Sequence, residues 1–139
     1  MKNRHLKYIS LLIVFLIIES CSTFKIHSAE KNLVIPGVSK AKKYTLYKVE
    51  FESEQNFSIE KIVLGKTPVD KFSLYNTSTK LYENSENINF KKGVYLLSFK
   101  SFNLNSNGGD NTVTLFITQA NKTKEIKTEI KTTDTIHKR

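Results

Sequence analysis

Short segments in which apolar and polar residues alternate are the feature that most constrains the fold of this chain. Tyr47, Val49 and Phe51 alternate with charged residues, and Val113 and Leu115 alternate with threonines. Successive side chains of a strand point to opposite faces of a sheet, so this pattern predicts half-buried strands. The segments lack the sustained 3.6-residue period of an amphipathic helix. The sequence therefore predicts an all-β fold.

Three segments refine this prediction. Ile59 and Ile62 are three positions apart within a β-rich segment, which predicts a bulge or a turn in the sheet. Residues 94–100 are the most apolar segment and are expected to form a central strand, covered on both sides at its start. Ile126 and Ile130 are four positions apart, as in a helix, but the threonines around them favour a strand.

About seven or eight short strands, separated by turn signals, predict an antiparallel β-sandwich. The strand count favours an immunoglobulin-like topology within that class, and a small β-barrel is the alternative. The chain has 139 residues, which leaves room for one domain after an N-terminal segment.

The N-terminal segment has the charge and hydropathy pattern of an export signal. Lys2, Arg4 and Lys7 precede an uncharged apolar run at 9–18. As a helix, this run would be about 15 Å long, roughly half of a bilayer core. A charged start followed by a short apolar core is typical of a secretory signal peptide and not of a membrane span.

The single cysteine, Cys21, follows this run directly, behind Ile18, Glu19 and Ser20. The segment resembles the lipobox of bacterial lipoproteins, although Glu19 departs from the small or apolar residue that is usual there. The resemblance implies cleavage after Ser20 and acylation of Cys21, which labelled palmitate would detect. Ser22 is compatible with sorting to the outer membrane in preference to the inner one. An uncleaved anchor and a soluble form cut after Ala29 are the alternatives.

The expected organisation follows from this assignment. Residues 1–20 are the lipoprotein signal peptide, and residues 21–32 are the lipidated cysteine and a polar tether. Extended, such a tether would reach roughly 35 Å. The β-sandwich domain is expected at 33–132, and residues 133–139 are expected to be a fraying basic tail.

The expected domain is poor in the residues that carry chemistry. Its sequence contains neither His nor Cys, since the three histidines are His5, His27 and His137. Acid–base catalysis and zinc binding draw on His, Cys and clustered carboxylates. We therefore expect no catalytic residues, no metal site and no cofactor, and we expect that the protein is not an enzyme.

Two further residue sets could bind a ligand. Glu50, Glu52 and Glu54 are spaced about 6.5–7 Å apart along one strand face, but a solvated outer face explains them better than a cation site does. Sugars stack on exposed aromatic rings, which raises glycan binding for the tyrosines. The five tyrosines in question are Tyr44, Tyr47, Tyr75, Tyr82 and Tyr95. For Tyr47 and Tyr95, packing in the core is the stronger expectation.

The formal net charge of +9 does not identify a partner. The lysines are scattered, and nucleic-acid readers favour arginine, so no nucleic-acid partner is expected. Attraction to anionic lipid or polysaccharide near the anchor is the functional interpretation of this charge, and solubility is the simpler one.

Taken together, these patterns predict a small bacterial lipoprotein of the cell envelope. It would contact the membrane through acyl chains on Cys21 and act without catalysis, by binding a protein or glycan or as an envelope component. A glycan-binding module and a periplasmic inhibitor or immunity-type protein are the alternatives.

Overall fold

The computed structural model describes residues 23–84, 88–103 and 111–138. These residues form two β-sheets, and no helix among them has the length and apolarity needed to cross a bilayer. The predicted signal peptide and Cys21 lie outside the described residues. The strands are β1 (Phe24–Ile35), β2 (Tyr44–Ser53), β3 (Ser58–Leu64), β4 (Thr67–Pro68), β5 (Ser73–Asn76), β6 (Leu81–Tyr82), β7 (Gly93–Ser101), β8 (Thr112–Gln119), β9 (Lys122–Glu129), β10 (Lys131–Thr132) and β11 (Ile136–His137).

The two sheets divide the chain as immunoglobulin constant-type domains do. The principal strands, in chain order, are β1, β2, β3, β5, β7, β8 and β9. The first sheet contains the order β1-β2-β7-β5, which corresponds to A-B-E-D. The second contains β3-β8-β9, which corresponds to C-F-G. The predicted all-β sandwich is confirmed, and its strand order is immunoglobulin-like.

One of the two sheets curls into a half-barrel, so the structure also has a feature of the small-barrel alternative. After β9 the chain crosses from the second sheet to the first. Ile130 is buried at this crossing, and its backbone N–H donates to the carbonyl oxygen of Asn111 (2.7 Å). β10 and β11 then pair in parallel with β1, so that the last strands of the domain lie beside its first.

The core lies between the inner faces of the two sheets and follows the predicted alternation. Tyr47, Val49 and Phe51 of β2 are buried, as are Val113 and Leu115 of β8. The predicted bulge is also present, since the pairing of β3 with β8 shifts register between residues 59 and 61. Period two along β2 and β8 therefore marks the inner face, although Thr114 on the outer face of β8 is also buried.

An aromatic cluster fills one end of the core. Phe57 contacts the rings of Phe24, Phe51, Phe90 and Tyr95, with centroid distances between 5.2 and 6.1 Å. Three of these four contacts are edge-to-face, which suits the charge distribution of aromatic rings. Phe57 is the central ring of the cluster.

The position of β7 was predicted correctly, but its burial was not. β7 is a central strand, hydrogen-bonded to β2 on one side and β5 on the other. Tyr95 and Leu97 are fully buried on its inner face, whereas Val94 and Leu96 on the outer face are only half-buried. The strand is covered fully on one side only, because no further layer packs over the outer face within the described residues.

The prediction of a tether at 21–32 is wrong for residues 24–32, which form most of β1. β1 pairs antiparallel with β2 along its length, and the register shifts between Ile26 and Ser28. The extra residue in this bulge shifts the buried position from an even-numbered residue, Phe24, to an odd-numbered one, Ala29. The sequence of β1 therefore shows no regular alternation of apolar and polar residues.

The prediction of a fraying tail at 133–139 is wrong for residues 133–138. The backbone N–H of Thr133 donates to the carbonyl oxygen of Lys31 (3.0 Å), and that of Lys138 donates to the carbonyl oxygen of Ile35 (3.0 Å). The side chain of Asn32 donates to Thr133 Oγ1 and to the Asp134 carbonyl oxygen. The segment is ordered by main-chain pairing, which its polar side chains do not disclose.

The strand register defines two ends of the sandwich. We call the end where β1 begins the basal end; it carries the loops and turns at 54–57, 77–80, 88–92 and 120–121. The opposite, distal end carries the loops at 36–43 and 65–72 and the segment at 133–138.

Candidate functional site

The basal end is where the chain emerges from the domain toward the predicted lipidation site. Cys21 itself lies outside the described residues, but Thr23 and Phe24 are placed. Phe24 is buried, and its ring stacks on that of Phe51 with a centroid distance of 4.6 Å. The chain is thus held by the core three residues after Cys21.

A group of polar side chains, which we call the N-terminal clasp, holds Thr23. It consists of Thr23, Ser53, Gln119 and Lys124. The hydroxyl of Thr23 donates to Gln119 Oε1 (2.8 Å), and Gln119 Nε2 donates to Ser53 Oγ (2.8 Å). The backbone N–H of Glu54 donates to the Thr23 carbonyl oxygen (2.9 Å). Gln119 and Ser53 are buried, and buried polar groups in a connected network fix the geometry around them.

The turn between β8 and β9 brings the clasp together. Ala120 and Asn121 both have positive φ, 47° and 62°, as the tight two-residue turns of twisted hairpins require. The pairing of β8 with β9 begins directly at this turn, where Gln119 is opposite Lys122. Lys124 therefore lies beside Thr23, where the chain enters the domain. Lys124 Nζ donates to Thr23 Oγ1 (3.2 Å) and to Gln119 Oε1 (3.4 Å).

The three glutamates of the predicted stripe do not converge. Glu50 and Glu52 lie on the outer face of β2, whereas Glu54 lies beyond the end of that strand. Glu52 Oε2 is 3.1 Å from Nε2 of His27, which projects from β1. Within residues 23–84, 88–103 and 111–138 there is no group of three His, Cys, Asp or Glu side chains placed to hold a metal ion.

Three of the five tyrosines are buried: Tyr47 and Tyr95 in the core, and Tyr44 beside Phe102 and Lys100. The hydroxyl of Tyr95 donates to the Lys91 carbonyl oxygen (2.7 Å) and accepts a hydrogen bond from Asn76 Nδ2 (3.3 Å). Burial, with the nearby carboxylate of Glu83, raises the pKa of Tyr95 above its ordinary value. Tyr95 is therefore a structural hydrogen-bond donor that holds the loop before β7.

The other two tyrosines are accessible and lie side by side on the outer face of the first sheet. Tyr75 and Tyr82 are directly opposite each other in β5 and β6. Their ring centroids are 5.1 Å apart, and their planes are tilted by 60°. This pair offers an aromatic surface to a ligand.

The grooves in the described surface are open to solvent. One of about 410 Å³ crosses the outer face of the second sheet, where Glu125 lies near Lys66 and Lys127. Another of about 320 Å³ at the distal end is lined by apolar rings around Phe99 and by Lys71 and Lys100.

The clasp was not foreseen from the sequence, although one signal for it was present. Gln119 continues the inward-facing set of Val113, Leu115 and Ile117, and a polar residue in that phase must find partners inside the domain. Nothing in the sequence around Thr23 or Ser53 identified those partners. Comparison with protein-family models, curated proteins and solved structures finds no match for this chain.

Proposed function

We propose that this chain is a small bacterial lipoprotein, held in the envelope by acyl chains on Cys21, whose β-domain acts by binding and not by catalysis. The observation that carries the proposal is the N-terminal clasp, which fixes Thr23 at the basal end two residues after Cys21. A lipid on Cys21 would then hold the folded domain directly at the membrane surface.

The physics of anchoring agrees with this proposal. One acyl chain gives only marginal membrane binding, at about 0.8 kcal/mol for each buried methylene, whereas two or three chains hold a protein stably. The lipobox-like segment Ile18–Cys21 would supply a multiply acylated cysteine. Sorting to the outer membrane, suggested by Ser22, is part of the proposal.

Labelling with radioactive palmitate tests the anchor in the bacterial host. We expect the wild-type chain to be labelled and to fractionate with membranes, and the Cys21→Ala variant to lose both properties. Glu19→Ala is the matched control, since it removes the residue that departs from the lipobox pattern and keeps the acceptor thiol. Equal labelling of the wild type and of Cys21→Ala would refute the proposal.

A second candidate function is favoured by the Tyr75–Tyr82 pair. Two accessible rings 5.1 Å apart on a sheet face are suited to stacking against sugar rings. Glycan-array binding that is lost in a Tyr75→Ala, Tyr82→Ala double variant, and kept in Phe102→Ala, would support a glycan-binding module. Co-purification of one protein partner would instead support the inhibitor or immunity-type alternative.

A further inference from the structure

The length of chain between Cys21 and the domain limits where the domain can lie. Only Ser22 and Thr23 separate Cys21 from β1, and Thr23 is held by the clasp. Two residues span at most about 7 Å. The headgroup region on each side of the hydrocarbon core is of the same order, about 5–7 Å thick. An acylated Cys21 would therefore bring the basal end into contact with the headgroups.

The basal end carries more lysines than described carboxylates. Its exposed lysines are Lys80, Lys91, Lys92, Lys122 and Lys124, and the carboxylates at the same end are those of Glu52, Glu54, Glu60 and Glu83. Two of these lysines are fixed relative to the chain entry. Lys124 Nζ contacts Thr23, and the backbone N–H of Lys92 donates to Asn56 Oδ1 (3.1 Å) in the neighbouring loop.

Exposed apolar side chains accompany these lysines. Ile88 is 79% exposed, Leu81 is 66% exposed and Tyr82 is 73% exposed. Leu81 is opposite Asn76, next to the basal turn at 77–80. Ile88 lies two residues before Phe90, whose backbone pairs with that of Phe57. Lysines beside apolar and tyrosine side chains are the composition of surfaces that lie in a membrane interface.

The distal end shows that charge alone does not select a surface. It also carries lysines, Lys40, Lys42 and Lys43, and it exposes Val38 and Phe102. What distinguishes the basal end is that the chain leaves the domain there, toward the cysteine that would carry the lipid.

We infer that the basal end is a membrane-contact surface for anionic phospholipid, with its lysines on the headgroups and Ile88 and Leu81 inserted at the headgroup–acyl boundary. This inference rests on the proposed lipidation of Cys21. It gives the anchored domain one orientation, in which the distal end remains accessible from the aqueous side.

A single environment-sensitive fluorophore tests the orientation in the full-length lipidated protein. An acylated Cys21 has no free thiol, so the variants Ile88→Cys and Val38→Cys each give one labelling site, at the basal and distal ends. The proteins are reconstituted in phosphatidylcholine vesicles with and without phosphatidylglycerol. We expect a blue-shifted emission for the label at 88 in the anionic vesicles and a water-like emission for the label at 38. Equal shifts, or a larger shift at 38, would overturn the inference.

Charge reversal tests the role of the lysines. At an anionic surface each lysine contributes roughly fivefold to the equilibrium constant of binding, so the triple variant Lys91→Glu, Lys92→Glu, Lys122→Glu should lower the equilibrium constant for contact by about a hundredfold. The label at 88 then becomes water-like. The matched control is Lys40→Glu, Lys42→Glu, Lys43→Glu, which makes the same charge change at the distal end and should leave the blue shift in place. A loss of shift in the distal variant, or none in the basal one, contradicts the inference.

Mass spectrometry of the same preparations separates the two proposals. An unacylated Cys21 overturns the proposed function and, with it, this inference. An acylated Cys21 with a label at 88 that stays in water overturns only the membrane-contact surface.

Discussion

The two ends of the sandwich are held in different ways. At the basal end, buried side chains make the connections: the N-terminal clasp joins β1, β2 and β8, and the ring of Phe57 contacts four others. At the distal end, residues 133–138 donate backbone hydrogen bonds to β1, and the buried side chain of Asn32 adds hydrogen bonds to Thr133 and Asp134. A side-chain network depends on particular residue types, whereas backbone pairing tolerates many different side chains. We therefore expect substitutions to cost most at the basal end.

The largest effect is expected for Phe57→Ala. Phe57 is buried at the centre of the aromatic cluster, so its removal takes apolar surface from the core and leaves a cavity. Loss of a buried phenylalanine costs about 3–5 kcal/mol in the free energy of unfolding. Urea denaturation of the purified protein, followed by circular dichroism, measures this loss.

Phe102→Ala is the matched control for the distal end. Phe102 is 61% exposed and contacts the ring of Tyr44 at its edge of the sheet. Its removal should cost less than about 1 kcal/mol, because substitutions away from the core usually have small effects. Equal losses for the two phenylalanines would contradict the difference between the ends.

Gln119→Ala breaks the clasp without touching the aromatic rings. It removes the hydrogen bonds between the Gln119 amide and the hydroxyls of Thr23 and Ser53, and at about 0.5–1.5 kcal/mol for each hydrogen bond we expect a loss of about 1–3 kcal/mol. Thr118→Ala, one position away on the outer face of β8, removes only an exposed contact with Thr123 and should change stability by less than about 0.5 kcal/mol. Similar values for the two variants in urea denaturation would argue against a stabilising clasp.

Truncation after Thr132 tests the distal end in the same way. It removes the backbone hydrogen bonds from Thr133 and Lys138 to β1, and the partners of the Asn32 side chain. At about 0.5–1.5 kcal/mol for each hydrogen bond, and with part of the loss regained from water, we expect a loss of about 1–2 kcal/mol. Hydrogen exchange of the amides of β1 should become faster. An unchanged melting temperature would show that the segment contributes nothing.

Tyr95→Phe is expected to have the smallest effect, about 1 kcal/mol at neutral pH, because it removes one buried hydroxyl and its hydrogen bonds. The contribution of the Tyr95 hydroxyl to the free energy of unfolding is expected to depend on pH in one direction. The folded-state pKa of Tyr95 is raised above 10.0, so its contribution is present below pH 10 and is lost as the pH rises through the folded pKa. The stability difference between wild type and variant should therefore shrink above pH 10, and a constant difference would count against burial as the cause.

The sequence predicted those parts of the fold whose side chains alternate. The period of β2 and β8 indicated two half-buried strands, and the three-residue spacing of Ile59 and Ile62 indicated the bulge in β3. The number of such strands indicated the sandwich, whereas the strand order depends on pairings between distant strands, which the sequence does not show. The alternation and the bulge are local in sequence, and the spacing of apolar residues reports them directly.

The parts that were missed depend on contacts between distant residues. β1 is broken in phase by its bulge, and its partners at the C-terminus are polar strands of two residues each. The clasp joins Thr23 to Gln119, 96 positions away. Neither a long-range backbone pairing nor a buried hydrogen bond between such residues leaves a periodic signal. The assignments that depend on Cys21 remain predictions.

The parallel pairing of the last strands with β1 has a consequence for folding. Asn32 and Thr133 are 101 positions apart, and a contact of such sequence separation costs loop-closure entropy before it forms. β1 therefore presents an open sheet edge until the last described strands pair with it, and an open edge is a template for pairing with another chain.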